Sequence, residues 1–243
     1  MSLKIYTETE PWQAFTAAYL RVREKEGRVL SDAQLKNLPR FDGNAALQKE
    51  WGLRAHSAKK LLNILRKEFP NGANLLDVGC GNGWFTNSLA EAGFNATGID
   101  VNLPELEQAA RVFKHPKLNY AFADVFTWQP EETFDAVIIS AVLQYFPSPK
   151  QLFKRLFETN PELRKIYIID TQFYSEDEKL QAKKRSENYY AQHSVAEMAQ
   201  HYNHFSVEDL GENAKAISSP KPKLIRKLIG GSPFAIIEVS SAP

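Results

Sequence analysis

The hydrophobic pattern of the N-terminal part follows helical spacing. One apolar face repeats every three or four residues, at Trp12, Phe15, Tyr19 and Val22. Gly27 is typical of a helix end, and Ser31 with Gln34 resembles a capping box for a short helix that Pro39 closes. A longer helix is predicted over about residues 51–69, with a buried face formed by Leu61, Leu62, Ile64, Leu65 and Phe69.

From residue 74 the pattern changes to short apolar runs that alternate with helical segments. Strands are predicted at residues 74–78, 96–100, 118–123, 134–140, 165–170, 205–210 and 234–240. Helices are predicted at residues 85–92, 104–113, 149–159 and 176–204. This alternation predicts an α/β fold with a doubly wound, mostly parallel seven-stranded sheet, preceded by a helical extension. We expect residues 1–50 to form that extension and residues 51–243 to form the main domain.

Composition narrows the class of protein. The chain has 243 residues, 43% of them hydrophobic, and a net charge of +1. It lacks the basic excess that is usual in nucleic-acid enzymes, so DNA or RNA is not the expected partner. Its apolar runs are too short to cross a bilayer, and the N-terminus has no signal-peptide pattern. With Cys80 as the single cysteine, no intramolecular disulfide can form, and we expect a cytoplasmic protein.

The strongest local signal is the glycine loop, defined as residues 77–83 (DVGCGNG), which lies between a predicted strand and a predicted helix. Glycines allow a ligand to approach the backbone, and the helix that follows offers free N–H groups. The dinucleotide fingerprint G-x-G-x-x-G would need a third glycine at Trp84 or at Thr86. A nicotinamide or flavin site is therefore disfavoured, and the G-x-x-x-x-G-K-[ST] phosphate loop is absent.

Two further carboxylates follow strands. Asp100 ends the second strand after the glycine loop, where a carboxylate can accept hydrogen bonds from both ribose hydroxyls of a nucleoside. Asp124 follows the third strand in the run FADVF. Because ligands of parallel sheets bind beyond the carboxyl ends of the strands, both side chains are candidates for the same site.

Together, the acidic residue before G-x-G-x-G, Asp100, Asp124 and the run FDAVIISAVLQYF at residues 134–146 resemble class I S-adenosylmethionine-dependent methyltransferases. The last run is similar to the small-molecule branch that includes quinone methyltransferases. The Asp/Asn-Pro-Pro-aromatic motif of base-methylating enzymes is replaced by Ser140-Ala141-Val142-Leu143. The resemblance implies S-adenosylmethionine as cofactor, bound by residues that we predict to be Arg54, Asp77, Gly79, Cys80, Gly81, Asn82, Gly83, Asp100, Val101, Asp124, Val125 and Ser140.

Arg54 is included for a geometric reason. The helix that contains it leads directly into the first strand of the sheet, so the helix should run antiparallel to that strand and begin near the glycine loop. Arginine can bind the carboxylate of the cofactor's methionine moiety through two hydrogen bonds, with Trp51 packing beside it and Asp77 receiving the ammonium group. The alternative is an arginine that faces solvent or pairs with Glu50.

The catalytic residues and the methyl acceptor are not identified by the sequence. Candidates for a base are Asp170, Tyr189, Tyr190, His193, His201 and His204. Residues 172–204 and the N-terminal helices are expected to cover the cofactor pocket and to shape the acceptor site, and no metal site is expected.

A small-molecule acceptor is the leading hypothesis, and three others stay open. These are a nicotinamide-dependent oxidoreductase, a non-catalytic cofactor-binding protein, and an RNA or protein methyltransferase. The last would grip an anionic substrate through a basic stretch that contains Lys215, Lys221, Lys223, Arg226 and Lys227.

Overall fold

The computed structural model describes residues 3–220 and 231–241. Eight strands are found there: β1 (Lys4–Ile5), β2 (Asn74–Val78), β3 (Asn95–Asp100), β4 (Leu118–Phe122), β5 (Ala136–Ser140), β6 (Lys165–Ile169), β7 (Ala214–Ser218) and β8 (Ile236–Ser240). The α-helices are α1 (Gln13–Lys25), α2 (Asp32–Asn37), α3 (Ala45–Glu68), α4 (Trp84–Glu91), α5 (Leu103–Val112), α6 (Pro149–Thr159) and α7 (Glu176–Gln192). Short 3-10 helices cover Glu10–Trp12, Leu143–Tyr145, Ala196–His201 and Glu208–Leu210.

The strands form one sheet in the order β1-β4-β3-β2-β5-β6-β8-β7. Pairing is parallel from β1 to β6, and β8 is antiparallel to both β6 and β7. The predicted doubly wound, mostly parallel sheet is therefore confirmed, with eight strands in the described residues instead of seven. The strand order reverses between β3-β2 and β5, and such a switch point is where ligands of open α/β sheets bind.

The prediction of a strand at residues 205–210 is wrong. The Asp209 carboxylate accepts hydrogen bonds from the backbone N–H of Ser206, at 2.8 Å, and from its hydroxyl. This side-chain cap turns the backbone into the 3-10 helix Glu208–Leu210 and leaves the apolar residues of the segment to pack from a loop. The strand of this region is β7, which pairs with β8 in antiparallel orientation and forms an edge of the sheet.

Both faces of the sheet are buried, as the continuous apolar run of β5 predicts. On one face, Leu75 and Ile138 belong to a core with α3, α4 and α5. On the other face, Leu76, Val137 and Ile139 pack against α6. Since neighbouring residues of a strand point to opposite faces, each apolar run supplies both cores at once.

The N-terminal helices agree with the pattern except at one boundary. Ser31 and Gln34 form the predicted capping box of α2. The long helix was predicted to begin at about residue 51, but α3 begins at Ala45, because the Asn44 side chain accepts the Leu47 N–H at 2.9 Å and caps it there. Trp51 and Arg54 consequently lie beyond the first turn of α3, and the predicted division between residues 50 and 51 falls within this helix.

In the described part of the chain, none of the helices has the combination of length and apolar character that crossing a bilayer requires.

Candidate active site

The glycine loop connects β2 to α4, and its first glycine, Gly79, has a backbone conformation and surroundings that leave no room for a side chain. Gly79 has φ +69°, and a Cβ placed there would lie 2.4 Å from Val142 Cγ2. The Gly79 and Cys80 N–H groups donate to the Ile99 carbonyl at 2.8 and 3.0 Å, which fixes the loop against the end of β3. At Gly79 and Gly81 the loop therefore presents backbone without a side chain at the carboxyl edge of the sheet.

Asp77 is buried at the end of β2 and has one unused oxygen. The Thr86 hydroxyl donates to Oδ2 at 2.7 Å, whereas Oδ1 has no partner among the described residues. Burial raises the pKa of Asp77 to about 7, against the lowering effect of the Thr86 hydrogen bond, and the nearby Asp100 charge raises it further. A buried oxygen of this kind is suited to a ligand that brings its own donor, such as an ammonium group.

Asp100, at the end of β3, holds the glycine loop in place. Its Oδ2 accepts the Gly81 N–H at 2.7 Å, and its Oδ1 accepts the Asn102 N–H at 2.8 Å. Burial raises the pKa of this carboxyl, and the backbone hydrogen bonds oppose the rise. Because a carboxylate oxygen can accept more than one hydrogen bond, both oxygens can still receive hydroxyl donors from a ligand.

Glu105 is a site residue that the sequence reasoning missed. Asn102 caps α5 by accepting the Glu105 N–H at 3.3 Å, and its Nδ2 donates to Glu105 Oε2 at 3.1 Å. This cap turns the glutamate towards the glycine loop, where burial raises its pKa to about 7 and the Arg23 charge lowers it. The only signal in the sequence was an asparagine three residues before a glutamate, which is typical of a helix N-terminus.

These groups lie around a cavity of about 450 Å³, which we call the first cavity. Every predicted cofactor-binding residue except one lines it: Arg54, Asp77, Gly79, Cys80, Gly81, Asn82, Asp100, Val101, Asp124, Val125 and Ser140. The exception is Gly83, whose carbonyl accepts a hydrogen bond from the Tyr120 hydroxyl at 2.8 Å as α4 begins. Asp124 is held by accepting the Phe126 N–H at 3.0 Å through Oδ1.

Arg54 lines the cavity but already has partners. Its Nε donates to Glu50 Oε1 at 3.2 Å, and its guanidinium lies 5.3 Å from the centre of the Trp51 ring. Arg28 binds the same Glu50 carboxylate, so two guanidinium groups share one acid. The structure thus places Arg54 both in the cavity, as predicted, and in the alternative pairing with Glu50.

The N-terminal segment covers the first cavity. The Thr16 hydroxyl of α1 donates to the Val101 carbonyl at 3.2 Å, and the Asp124 N–H donates to the Thr7 hydroxyl at 3.1 Å. These bonds tie the segment to the ends of β3 and β4. Because of these bonds, the segment contributes residues to the lining of the first cavity that were not predicted individually. These residues are Pro11, Trp12, Phe15, Tyr19, Arg23 and Arg28.

A second cavity, of about 460 Å³, lies beside the first. The two share several lining residues, namely Tyr19, Arg23, Arg28, Arg54, Ala141 and Tyr145. Tyr145 stands between them, with its ring centre 5.8 Å from that of Tyr19 and 5.6 Å from that of Tyr202. Residues 172–204 contribute to the second cavity through Gln172, Tyr174, Ala182, Arg185, Ser186, Tyr189, Tyr190, Met198 and Tyr202.

Four of the six candidate bases line one of the two cavities. Asp170, Tyr189 and Tyr190 line the second cavity, and His201 lines the first, where its ring packs edge-on against Phe15. The other two histidines line neither cavity. His193 binds the Tyr189 carbonyl through Nδ1 at 2.7 Å, and His204 shares a hydrogen bond of 2.9 Å with Ser186.

Of the basic residues that were considered for binding an anionic substrate, the structure describes Lys215. Lys221, Lys223, Arg226 and Lys227 lie outside the described residues. Lys215, on β7, is bound to the buried Glu238 at 2.9 Å and does not line either cavity.

Comparison with known proteins identifies the family. A family profile described as a methyltransferase domain matches residues 51–217. A trans-aconitate 2-methyltransferase of Variovorax paradoxus (strain S110) is 31% identical over 48% of this chain and 45% of its own length. A ubiquinone biosynthesis O-methyltransferase of Xanthomonas axonopodis pv. citri (strain 306) is 33% identical over 47% of this chain and 53% of its own length. The chain thus spans about half the length of these curated relatives.

Solved structures agree over most of the chain. The magnesium protoporphyrin IX methyltransferase of Synechocystis PCC 6803, with bound S-adenosylhomocysteine, superposes with a TM-score of 0.58 at 15% identity and covers 93% of this chain and all of its own. A plantazolicin methyltransferase in complex with S-adenosylhomocysteine gives a TM-score of 0.56 at 13% identity, over 96% of this chain and 95% of its own. Because the family profile spans more than half of the sequence and the fold agrees, the chain belongs to the methyltransferase domain family, with the class I, S-adenosylmethionine-dependent fold.

Proposed function

We propose that this protein transfers a methyl group from S-adenosylmethionine to a small-molecule acceptor. The observation that carries the proposal is the first cavity. It combines a glycine loop, the unused oxygen of Asp77 and the strand-end carboxylate of Asp100 at the switch point of a parallel sheet. A second cavity beside it offers room for an acceptor.

The cofactor-binding roles follow from the chemistry of each group. Asp77 Oδ1 would accept the ammonium group of the methionine moiety, and Asp100 would accept the ribose hydroxyls. The bare backbone at Gly79 and Gly81 would allow close contact, while Asp124 and Val125 would lie beside the adenine. Arg54 would bind the methionine carboxylate while Glu50 holds its guanidinium in position.

The protein's own part in the reaction is to position the acceptor and to exclude water from the site. S-adenosylmethionine supplies an activated methyl group when it is bound, so the protein mainly aligns the acceptor for in-line displacement. The aromatic residues between the two cavities, Phe15, Tyr19, Tyr145 and Tyr202, would shield the transfer from solvent and orient the acceptor. We also propose that the protein is located in the cytoplasm.

Calorimetry with S-adenosylhomocysteine tests the cofactor assignment. The wild-type protein should bind it, and Asp100→Ala and Asp100→Asn should weaken binding by about 2–4 kcal/mol, because hydrogen bonds to a charged group are lost. Asp177→Asn, an exposed substitution on α7, is the matched control and should leave affinity unchanged. Absence of binding, together with tight binding of NAD, would overturn the proposal in favour of an oxidoreductase.

A further inference from the structure

Two strand ends beside the cavities have an unusual backbone. Ala141 and Asp170 follow β5 and β6, and both have left-handed conformations, with φ of 55° and 54°. The Ala141 N–H donates to the Ile169 carbonyl at 3.0 Å, so the two residues are neighbours across the parallel pair. A left-handed conformation costs about 1–2 kcal/mol for a residue other than glycine, and such residues concentrate at functional sites.

The strained backbone directs an acid into the second cavity. Asp170 lines that cavity and not the first, whereas Ala141 lines both. Both carboxylate oxygens of Asp170 are buried, and neither accepts a hydrogen bond of normal geometry from the described residues, although the Ser57 hydroxyl lies close enough to lower the pKa of this carboxyl. Because buried polar groups are normally paired, the missing donor is best supplied by a ligand.

The charges around the second cavity limit what that ligand can be. Its lining contains more guanidinium groups than carboxylates: Arg23, Arg28, Arg54 and Arg185 against Glu26, Glu50 and Asp170. Arg23, Arg28 and Arg54 are paired with Glu26 or Glu50, so Arg185 is the guanidinium that, among the described residues, has no acid partner. Its charge would stabilise an acceptor oxygen that develops negative charge and would give no such help to an ammonium acceptor. A carboxylate acceptor has no proton to give and would be repelled by the unpartnered Asp170. The tyrosines of the lining favour a flat ring.

We propose that the second cavity binds a small phenolic acceptor and that Asp170 is the base that takes its hydroxyl proton. This inference rests on the proposed methyltransferase function. The O–H bond breaks, and its proton goes to an Asp170 oxygen while an oxygen electron pair of the acceptor forms the new O–CH₃ bond. The bond between methyl carbon and sulfur breaks, and its electron pair stays on sulfur as a neutral thioether. The proton then leaves Asp170 for solvent, so atoms and charges balance.

The protonation behaviour of the lining agrees with this assignment. Burial raises the pKa of Asp170 to about 6, while Ser57 and the Arg54 charge lower it and the Glu50 charge raises it. Asp170 is therefore ionised at neutral pH and still a stronger base than an ordinary aspartate. Burial raises the pKa of Tyr145, Tyr190 and Tyr202 as well, so these hydroxyls act as donors and not as bases.

The test measures methyl transfer to three probes: catechol, benzylamine and the tricarboxylate trans-aconitate. We expect catechol to be methylated. In Asp170→Asn and Asp170→Ala, kcat should fall about a hundredfold or more, with unchanged affinity for S-adenosylhomocysteine. With S-adenosylmethionine at saturating concentration, so that titration of Asp77 and Glu105 does not limit cofactor binding, the wild-type kcat/KM for catechol should rise with pH through about 6, because the base must lose its proton. Both variants should lack this rise. Asp177→Asn should behave as wild type.

Several outcomes would overturn the inference. These are a wild-type rate with catechol in Asp170→Asn, methylation of benzylamine or trans-aconitate but not of catechol, and no turnover of catechol by protein that binds S-adenosylhomocysteine. Thermal melting and S-adenosylhomocysteine affinity of both variants separate a lost base from a lost fold. Failure of the wild-type protein to bind S-adenosylhomocysteine would count against the proposed function itself.

Discussion

Arg54 donates to the carboxylate of Glu50, one helical turn earlier on α3, while its guanidinium lies in the lining of both cavities. A guanidinium held by an acid on one side keeps donors for a second acceptor on the other. The pairing with Glu50 and a role in binding are therefore compatible, and Glu50 fixes the orientation of a side chain that would otherwise be mobile.

Arg54→Ala should weaken the binding of S-adenosylhomocysteine about ten- to a hundredfold, because charge-assisted hydrogen bonds contribute about 1.5–3 kcal/mol. Arg54→Lys should retain part of the affinity, since lysine keeps the charge but not the planar pair of donors. Calorimetry measures both. Arg66→Ala, at an exposed position on the same helix, is the control. Unchanged affinity in both Arg54 variants would remove this residue from the site.

Asp77→Asn should stabilise the ligand-free protein at neutral and higher pH. Burial raises the pKa of Asp77 from 3.8 to about 7, so the folded state binds this proton more tightly than the unfolded state does. The stability associated with that proton is present at low pH and is lost as pH rises from about 4 to about 7. One pKa unit corresponds to about 1.4 kcal/mol, so the gain in Asp77→Asn has an upper limit of about 4 kcal/mol.

Urea unfolding of Asp77→Asn and wild type between about pH 5 and about pH 8 measures this difference. The gap in free energy of unfolding should widen with pH, while the same substitution weakens binding of S-adenosylmethionine. Asp177→Asn controls for the change in net charge. A gap that stays constant over this range would show that Asp77 does not titrate there.

Gly79→Ala should destabilise the protein for two separable reasons. The left-handed backbone costs about 1–2 kcal/mol with any Cβ, and that Cβ would also collide with Val142. Gly27→Ala is a matched control, because Gly27 has the same φ of +69° and open space around it. The excess loss of Gly79→Ala over Gly27→Ala in thermal melting reports the collision, and adding Val142→Ala should recover part of it. Equal losses in the two single variants would rule the collision out.

Hydrogen exchange tests whether α1 covers the cofactor. Phe15 and Tyr19 line the first cavity, and Thr16 is bound to the Val101 carbonyl, so S-adenosylhomocysteine should slow amide exchange in α1. The amides of α6, which lines neither cavity, should exchange as before. Equal exchange in α1 with and without ligand would contradict a covering role.

The sequence predicted those parts of the site that depend on short stretches of chain. Asp77, the glycine loop and Asp100 belong to one strand–turn–helix–strand unit, where local pattern determines position. The start of α3 was missed because Asp42, Gly43 and Asn44 form a pattern that is typical of a turn, whereas the Asn44 side chain also caps the helix. Tyr19 and Arg23 were not assigned to the cavity because the placement of α1 depends on long-range bonds such as that of Thr16.

The C-terminal strands show the same limit. Residues 205–210 have strand-like apolar alternation, yet the Asp209 cap satisfies their backbone locally. The polar β7 pairs instead with β8, an antiparallel match between distant residues that no local pattern encodes.

The short strand β1 has a consequence for self-association. Lys4 and Ile5 pair with Ala121 and Phe122, and the Tyr6 N–H donates to the Phe122 carbonyl at 2.9 Å. Without this strand, the hydrogen-bonding groups along that side of β4 would be open to the strand of another molecule, which is a common route to aggregation. Residues 4–6 therefore cover the β4 edge of the sheet, and chains shortened to the start of α1 should precipitate more readily than the full chain.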